Sequence, residues 1–214
     1  MKKTIVADDH PLFRTAISQL LNNLDSDIEM LQADSMQSLQ TTLAEHPDAT
    51  LVLLDLHMPG AHGFSALAYL KGHHEGIPVL VVSGDERPEV VRRAMEFGAR
   101  GFLPKSSSPE QIATAIETVN NGQQWLPAEI GQGLAPDEDE TRIMEAIATL
   151  TPQQYLVLTM LAEGLFNKQI AYELDVTEAT IKAHMTAIFR KLGVRSRTQV
   201  ALAVGKLNLD PPEA

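Results

Sequence analysis

The chain reads as an α/β protein: a doubly wound (βα)5 unit followed by a second, smaller all-α domain. Three observations lead to this reading. Apolar strands alternate with amphipathic helices from Thr4 to Asn121, the pattern of a parallel sheet covered on both faces. Between Gly122 and Glu140 a stretch carrying Gly122, Pro127, Gly131, Gly133, Pro136 and the acidic run Asp137-Glu138-Asp139-Glu140 breaks the rhythm, as a linker does. Beyond it every periodic segment is helical. The 214 residues exceed the usual single-domain size, in keeping with two units.

The first strand is Thr4-Ile5-Val6-Ala7. A helix from Pro11 to Leu24 follows, with Pro at its first turn and Phe13, Ile17, Leu20 and Leu24 at helical spacing. Asp27 to Ala33 is the second strand, and Ser35 to about His46 the second helix. Leu51 to Asp55 reads as a fully buried third strand, ending on a carboxylate and then the turn Pro59-Gly60. A helix from about Gly63 to Leu70, a strand Pro78–Ser83 and a helix Pro88–Phe97 come next. A short strand Gly101–Pro104 and a helix Ser108–Asn121 complete five strand–helix pairs, for which right-handed crossovers leave a doubly wound sandwich. After the break, Thr141–Leu150 is a short lead-in helix. Pro152–Glu163, Asn167–Leu174, Glu178–Leu192 and Arg197–Leu207 complete the chain. The expected boundaries are 1–121 for the α/β domain, 122–148 for the linker and 149–214 for the helical domain.

Composition narrows the function classes. No cysteine is present, which removes disulfides, thiolate metal sites and cysteine nucleophiles. No segment approaches the ~20 apolar residues of a membrane span, and Met1-Lys2-Lys3-Thr4 runs into a strand without a secretory h-region. A cytoplasmic protein with no membrane partner is the expectation. The net charge of −11 is unevenly divided. Residues 1–148 hold 10 Lys and Arg against 22 Asp and Glu, a balance of −12. Residues 149–214 hold 7 against 6, a balance of +1. Nucleic-acid binding is therefore compatible only with a positive face on the second domain.

Four features stand at strand C-termini: Asp8-Asp9 after the first strand, Asp55 after the third, Ser83 after the fourth and Lys105 after the fifth. In a parallel sheet these ends share one edge, where open α/β sheets bind ligands. Clustered carboxylates repel unless a cation neutralises them, and an all-oxygen set suits a hard octahedral ion, Mg²⁺ before Ca²⁺. A facing ammonium and a hydroxyl could stabilise a phosphoryl group on a carboxylate. Each acid taken singly could equally cap the helix that follows it. A phosphohydrolase nucleophile would use the same groups, but expects a second carboxylate two residues on, where His57 stands.

In the helical domain the helix Lys168–Leu174, the turn Asp175-Val176-Thr177 and the longer helix ending at Leu192 have helix-turn-helix spacing. Ile170, Ala171, Leu174 and Val176 face Ile181, Ile188 and Leu192. The outer face of the second helix carries Thr180, Lys182, Ala183, His184, Thr186 and Arg190, a set small enough for a major groove. Lys168, Arg190, Lys191, Arg195 and Arg197 are placed to meet phosphates. Spacing alone also allows a bundle that makes protein contacts.

Residues 1–121 resemble the receiver domain of a two-component response regulator, through Ala7-Asp8-Asp9-His10-Pro11-Leu12, Asp55-Leu56-His57-Met58-Pro59-Gly60, Ser83-Gly84 and Gly101-Phe102-Leu103-Pro104-Lys105. The resemblance implies that Asp55 accepts a phosphoryl group from a phosphohistidine on a sensor histidine kinase. It implies that Asp9 binds Mg²⁺ directly and Asp8 more through water, with Asp55 and the backbone carbonyl of His57 as further ligands. Lys105 would hold phosphoryl oxygens, and Ser83 and Phe102 would form the switch pair. Phe102 lacks the hydroxyl of the Tyr often found there. His57 and Asp85 occupy the two variable positions that tune phosphate lifetime in that family.

Residues 150–207 resemble the LuxR/NarL/FixJ DNA-binding domain, through Leu150-Thr151-Pro152, Glu163-Gly164, Asn167-Lys168-Gln169-Ile170-Ala171, Thr180-Ile181-Lys182-Ala183-His184 and Arg190-Lys191-Leu192-Gly193-Val194. The resemblance implies a dimer interface on the last helix. Thr186 stands where several relatives place a basic base-reading residue. The whole chain thus resembles a NarL/FixJ-type response regulator and transcription factor, with at most slow autodephosphorylation as catalysis. The implied partners are a cognate kinase, double-stranded DNA, a second copy when active, and RNA polymerase. Lys168–Tyr172 and Lys182-Ala183-His184 are most similar to proteobacterial regulators of two-carbon metabolism.

Overall fold

A computed structural model of the chain describes residues 2–24, 27–127 and 138–207. Five parallel strands form one sheet, β1 (Lys2–Ala7), β2 (Ile28–Ala33), β3 (Leu51–Asp55), β4 (Val79–Ser83) and β5 (Gly101–Pro104), in the order β2-β1-β3-β4-β5. Helices α1 (Pro11–Leu24), α2 (Met36–Glu45), α3 (Ser65–His73), α4 (Pro88–Glu96) and α5 (Pro109–Asn120) alternate with them. The doubly wound expectation holds. The third helix begins two residues later than its sequence pattern suggested and runs on to His73, and β1 begins at Lys2 because Lys2 N–H donates to Asp27 O.

Strand residues alternate between two cores, as a pleated sheet requires. Val6, Leu51, Leu53, Leu80, Val82 and Leu103 pack with Ile17 and Leu21 of α1 and with Ile112, Ile116 and Val119 of α5. Ile5, Val52, Leu54, Val81 and Phe102 point to the other face, under α2, α3 and α4. That second core does not stop at the sheet. It continues through Tyr69 and Phe64 into the C-terminal helices α6 (Glu138–Ala148), α7 (Pro152–Ala162), α8 (Asn167–Glu173), α9 (Glu178–Leu192) and α10 (Arg197–Gly205).

The stretch 122–148, expected as a linker, is engaged with the α/β unit at both of its described ends; residues 128–137 lie outside the described residues. Trp125 pairs alongside β5, its N–H donating to Arg100 O at 3.1 Å and its carbonyl accepting from Phe102 N–H at 3.1 Å. Helix α6, which begins three residues before the expected lead-in helix, lies against α3. Arg93 of α4 reaches Glu140 of α6 at 3.1 Å and the carbonyl of Lys206 after α10 at 2.9 Å.

In the helical domain Thr151, Thr177 and Ser196 cap α7, α9 and α10 through side-chain oxygens, each satisfying an orphan N–H of the first turn. Gly193 closes α9 at φ +68°, a left-handed cap that glycine takes without a Cβ penalty. Phe166 is the residue preceding α8, and its N–H donates to Gln169 Oε1 at 2.7 Å.

Candidate functional site

The parallel register brings Asp8, Asp9, Asp55, Ser83 and Lys105 to one edge. Asp8 and Asp55 are almost wholly buried. Lys105 Nζ lies 2.8 Å from Asp8 Oδ2 and 2.9 Å from Asp55 Oδ2. The opposing influences on this ammonium are legible: burial pushes its pKa down, and the bonds to Asp8 and Asp55 outweigh burial and hold it above the ordinary lysine value. One ammonium cannot balance three carboxylates, so the pocket retains negative charge.

The donor atoms of Asp8, Asp9, His10 and Asp55 all lie within 4.8 Å of one another. Apart from their charge contacts with Lys105 and His10, Asp8 Oδ2 and Asp9 Oδ1 take no hydrogen bond. Oxygens buried in that state suit a hard cation, and the set fits Mg²⁺ in kind and number once waters complete the octahedron. The backbone N–H of His57 donates to Asp55 Oδ1 at 3.1 Å, so the segment carrying the His57 carbonyl folds back over the acceptor.

Ser83 and Phe102 are both fully buried, on neighbouring strands. Ser83 Oγ accepts from Asp85 N–H at 3.1 Å. Asp85 is gripped by the Arg87 guanidinium, with Nη2 at 2.7 Å and Nε at 2.9 Å, and Arg87 holds its carboxyl below the usual range.

His10 is a residue that reading the chain passed over, although it directly follows the acidic pair. Its N–H donates to Asp8 Oδ1 at 2.8 Å, and its Nδ1 lies 2.7 Å from Asp9 Oδ1 and 3.4 Å from Lys105 Nζ.

On the helix-turn-helix, Lys168, Lys182, Ala183, Thr186, Arg190 and Arg195 are exposed, while Thr180, His184 and Arg197 are half-buried. Asp175 enters the turn at φ +50°. Thr180 is spent partly on capping, its N–H donating to Thr177 Oγ1. Thr186 Oγ1 donates to Lys182 O. Lys191 differs from its neighbours: Nζ donates to Thr149 O at 2.7 Å and Gln154 Oε1 at 2.8 Å, tying α9 to the entrance of α7. Arg197 sits over the ring of Phe166, 5.7 Å from its centre. Phe166 and Tyr172 are large exposed aromatics on this domain whose exposure the helical pattern around them does not signal.

No helix among the described residues is long and apolar enough to cross a membrane. Comparison with known proteins agrees with this geometry. Residues 4–117 match the response regulator receiver domain, and residues 148–204 match the luxR family of bacterial regulatory proteins. The chain is 39% identical to a glycerol metabolism activator of Pseudomonas putida, over 97% of each chain. It is 33% identical to the nitrate/nitrite response regulator protein NarL of Escherichia coli K12, over 94% of this chain and 93% of that one. Its fold resembles that of RcsB from Salmonella enterica serovar Typhimurium, solved on promoter DNA with the phosphomimetic BeF3⁻, with a TM-score of 0.58, 22% identity, and coverage of 97% and 99%.

Proposed function

Because this chain belongs to the NarL/FixJ family of two-component response regulators, we propose that Asp55 is its phosphoacceptor and that phosphorylation there governs how the C-terminal helices engage double-stranded DNA. A receiver joined to a LuxR-type DNA-binding domain makes the protein a transcription-regulating response regulator, a class whose general mechanism is phosphorylation and dimerisation. The observation that carries the assignment is the buried Asp55 carboxylate, held by Lys105 within an acidic pocket.

Asp55 attacks the phosphorus of a phosphohistidine on the kinase. The new P–O bond forms as the P–N bond breaks, and the imidazole leaves with its electron pair and takes a proton. Asp9, Asp55 and the His57 carbonyl, with Asp8 acting more through water, would hold Mg²⁺, which would supply the positive charge that lets two anions approach. Lys105 follows the charge from the Asp55 oxygen to a phosphoryl oxygen. The Ser83 hydroxyl, whose oxygen already accepts from Asp85, keeps its proton to donate, with Phe102 packed behind it. The change shifts a pre-existing equilibrium between docked and released domains.

Lys182, Ala183, His184, Thr186 and Thr180 are the residues proposed to meet bases, and Lys168, Arg190, Arg195 and Arg197 to meet phosphates; Lys191 has two internal partners to release first. The active form is a homodimer through α10, where Leu202 is exposed, reading paired half-sites, and RNA polymerase is a further partner. The Pseudomonas putida relative supports a regulon for use of a small carbon source. Asp55→Ala removes labelling by acetyl phosphate under this reading; retained labelling moves the acceptor elsewhere.

A further inference from the structure

Tyr155 belongs to α7 of the DNA-binding domain, yet its side chain is fully buried and its hydroxyl bonds to the receiver. Ser65 Oγ stands 2.8 Å from the Tyr155 oxygen, and Tyr155 donates to the carbonyl of Gly60 at 3.3 Å. With the Tyr155 proton directed at Gly60, Ser65 is the donor to Tyr155, and Ser65 Oγ in turn accepts from His62 N–H at 3.1 Å. One hydroxyl therefore joins the middle of the connection between β3 and α3 to the first residue of α3. The ring is packed as firmly, its centre 5.0 Å from that of Tyr69. Burial drives the Tyr155 phenol far above its ordinary pKa, so it is a neutral donor throughout the working range.

The segment it grips leads straight back to the acceptor. Gly60 lies five residues beyond Asp55 and three beyond His57, and the chain between has little freedom. Met36 N–H donates to Pro59 O at 2.8 Å, Ala61 N–H donates to Met58 O at 2.9 Å, and Met58 is buried. Gly60 itself holds φ +75°, where an added Cβ would come within 3.1 Å of Met36 Cβ. A short segment pinned at this many points moves as a unit, because packed interiors transmit displacement rather than absorb it.

We propose that Tyr155 is a positioning residue for the phosphoacceptor segment, and that coupling between occupation of Asp55 and release of the DNA-binding domain passes through its hydroxyl. The inference rests on the reading of Asp55 given above. Docking holds the segment in the form where Asp55 is paired with Lys105, and an occupied site needs the same segment, with its His57 carbonyl, to settle around a cation and a phosphoryl group. Coupling between two sites is reciprocal, so loosening the dock at Tyr155 must also make the acceptor site easier to occupy.

Tyr155→Phe keeps the ring and removes only the hydroxyl. In the full chain with saturating Mg²⁺, calorimetric titration with beryllofluoride should show Tyr155→Phe binding about fivefold tighter than the parent, the worth of one net hydrogen bond. Ser65→Ala should move affinity the same way, and the double variant should gain less than the two single gains combined. A folded Tyr155→Phe chain with unchanged or weaker beryllofluoride affinity overturns the proposal, since a tyrosine that only packs its own domain would leave a site in the other one unmoved. If the parent chain takes up neither beryllofluoride nor label from acetyl phosphate, the phosphoacceptor reading itself fails, and this inference with it.

Discussion

Gly72 of α3 lies directly against the backbone carbonyl of Ala148 at the end of α6, with no room for a Cβ between them. A glycine inside a helix costs about 1 kcal/mol relative to alanine, and here that cost permits the close approach of two helices from different parts of the chain. The consequence is direct: Gly72→Ala pushes α6 away from α3 while leaving the sheet and its acceptor edge intact. Small-angle scattering of the unphosphorylated chain should show a larger radius of gyration for Gly72→Ala. Uptake of label from acetyl phosphate should be retained, because Asp55 stands at the opposite end of the sheet from this contact.

Lys105→Met leaves Asp8 and Asp55 buried beside each other without their ammonium. Removing one member of a buried charge set typically costs about 3–5 kcal/mol, so thermal unfolding should fall markedly in metal-free buffer. Added Mg²⁺ should restore part of the loss by supplying positive charge to the same oxygens. A variant as stable as the parent in metal-free buffer would show that the Lys105 contacts contribute nothing.

The pH dependence of that stabilisation follows from its sign. The pKa of Lys105 is raised by folding, so its contribution is fully present below the ordinary lysine value of 10.5 and is lost only as pH climbs through the folded value. The stability gap between the parent and Lys105→Met should therefore stay constant from pH 7 to about 10 and narrow above it. Urea unfolding at a series of pH values measures the gap directly, and a gap that closes below pH 9 contradicts the assignment.

Lys182 and Lys191 are both cations of α9, and they should respond differently to truncation. Lys182 is exposed, whereas Lys191 bonds internally to Thr149 and Gln154. On a selected high-affinity duplex, Lys182→Ala should weaken binding by about 1–3 kcal/mol and narrow the margin over mixed-sequence DNA, the loss expected of a base contact. Lys191→Ala should chiefly lower the unfolding temperature of the helical domain. A salt slope of log affinity lowered by about 0.9 in Lys191→Ala would show that Lys191 gives up its internal partners for a phosphate on DNA.

Much of the molecule could be read along the chain. The β3 run from Leu51 to Leu54 is apolar without interruption because both faces of that strand are covered, and the Asp55 carboxylate that follows stood out for that reason. Asp8, Asp9, Ser83 and Lys105 were legible as strand-end residues, since a parallel sheet leaves them no other edge. The helix-turn-helix was legible because its apolar residues keep helical spacing on both sides of a tight turn. His10 was not singled out, because a lone imidazole gives no periodic signal. The internal role of Lys191 was hidden because sequence separates it from Gln154 by 37 positions. Tyr155 read as one apolar residue among several in α7, with nothing local to mark its partner as Ser65.

What the amino-acid sequence determined by itself was everything governed by short-range periodicity: the alternation of strands and helices, the two domains, and the ends of strands at which chemistry is presented. What only the tertiary structure decided was how the two domains meet. Whether Gly72 faces solvent or Ala148, whether Tyr155 packs its own domain or clasps the segment behind Asp55, and whether a lysine of α9 points to DNA or to α7 all depend on long-range packing. That packing is chosen by the shapes of surfaces formed after the local elements exist, and no spacing along the chain encodes it.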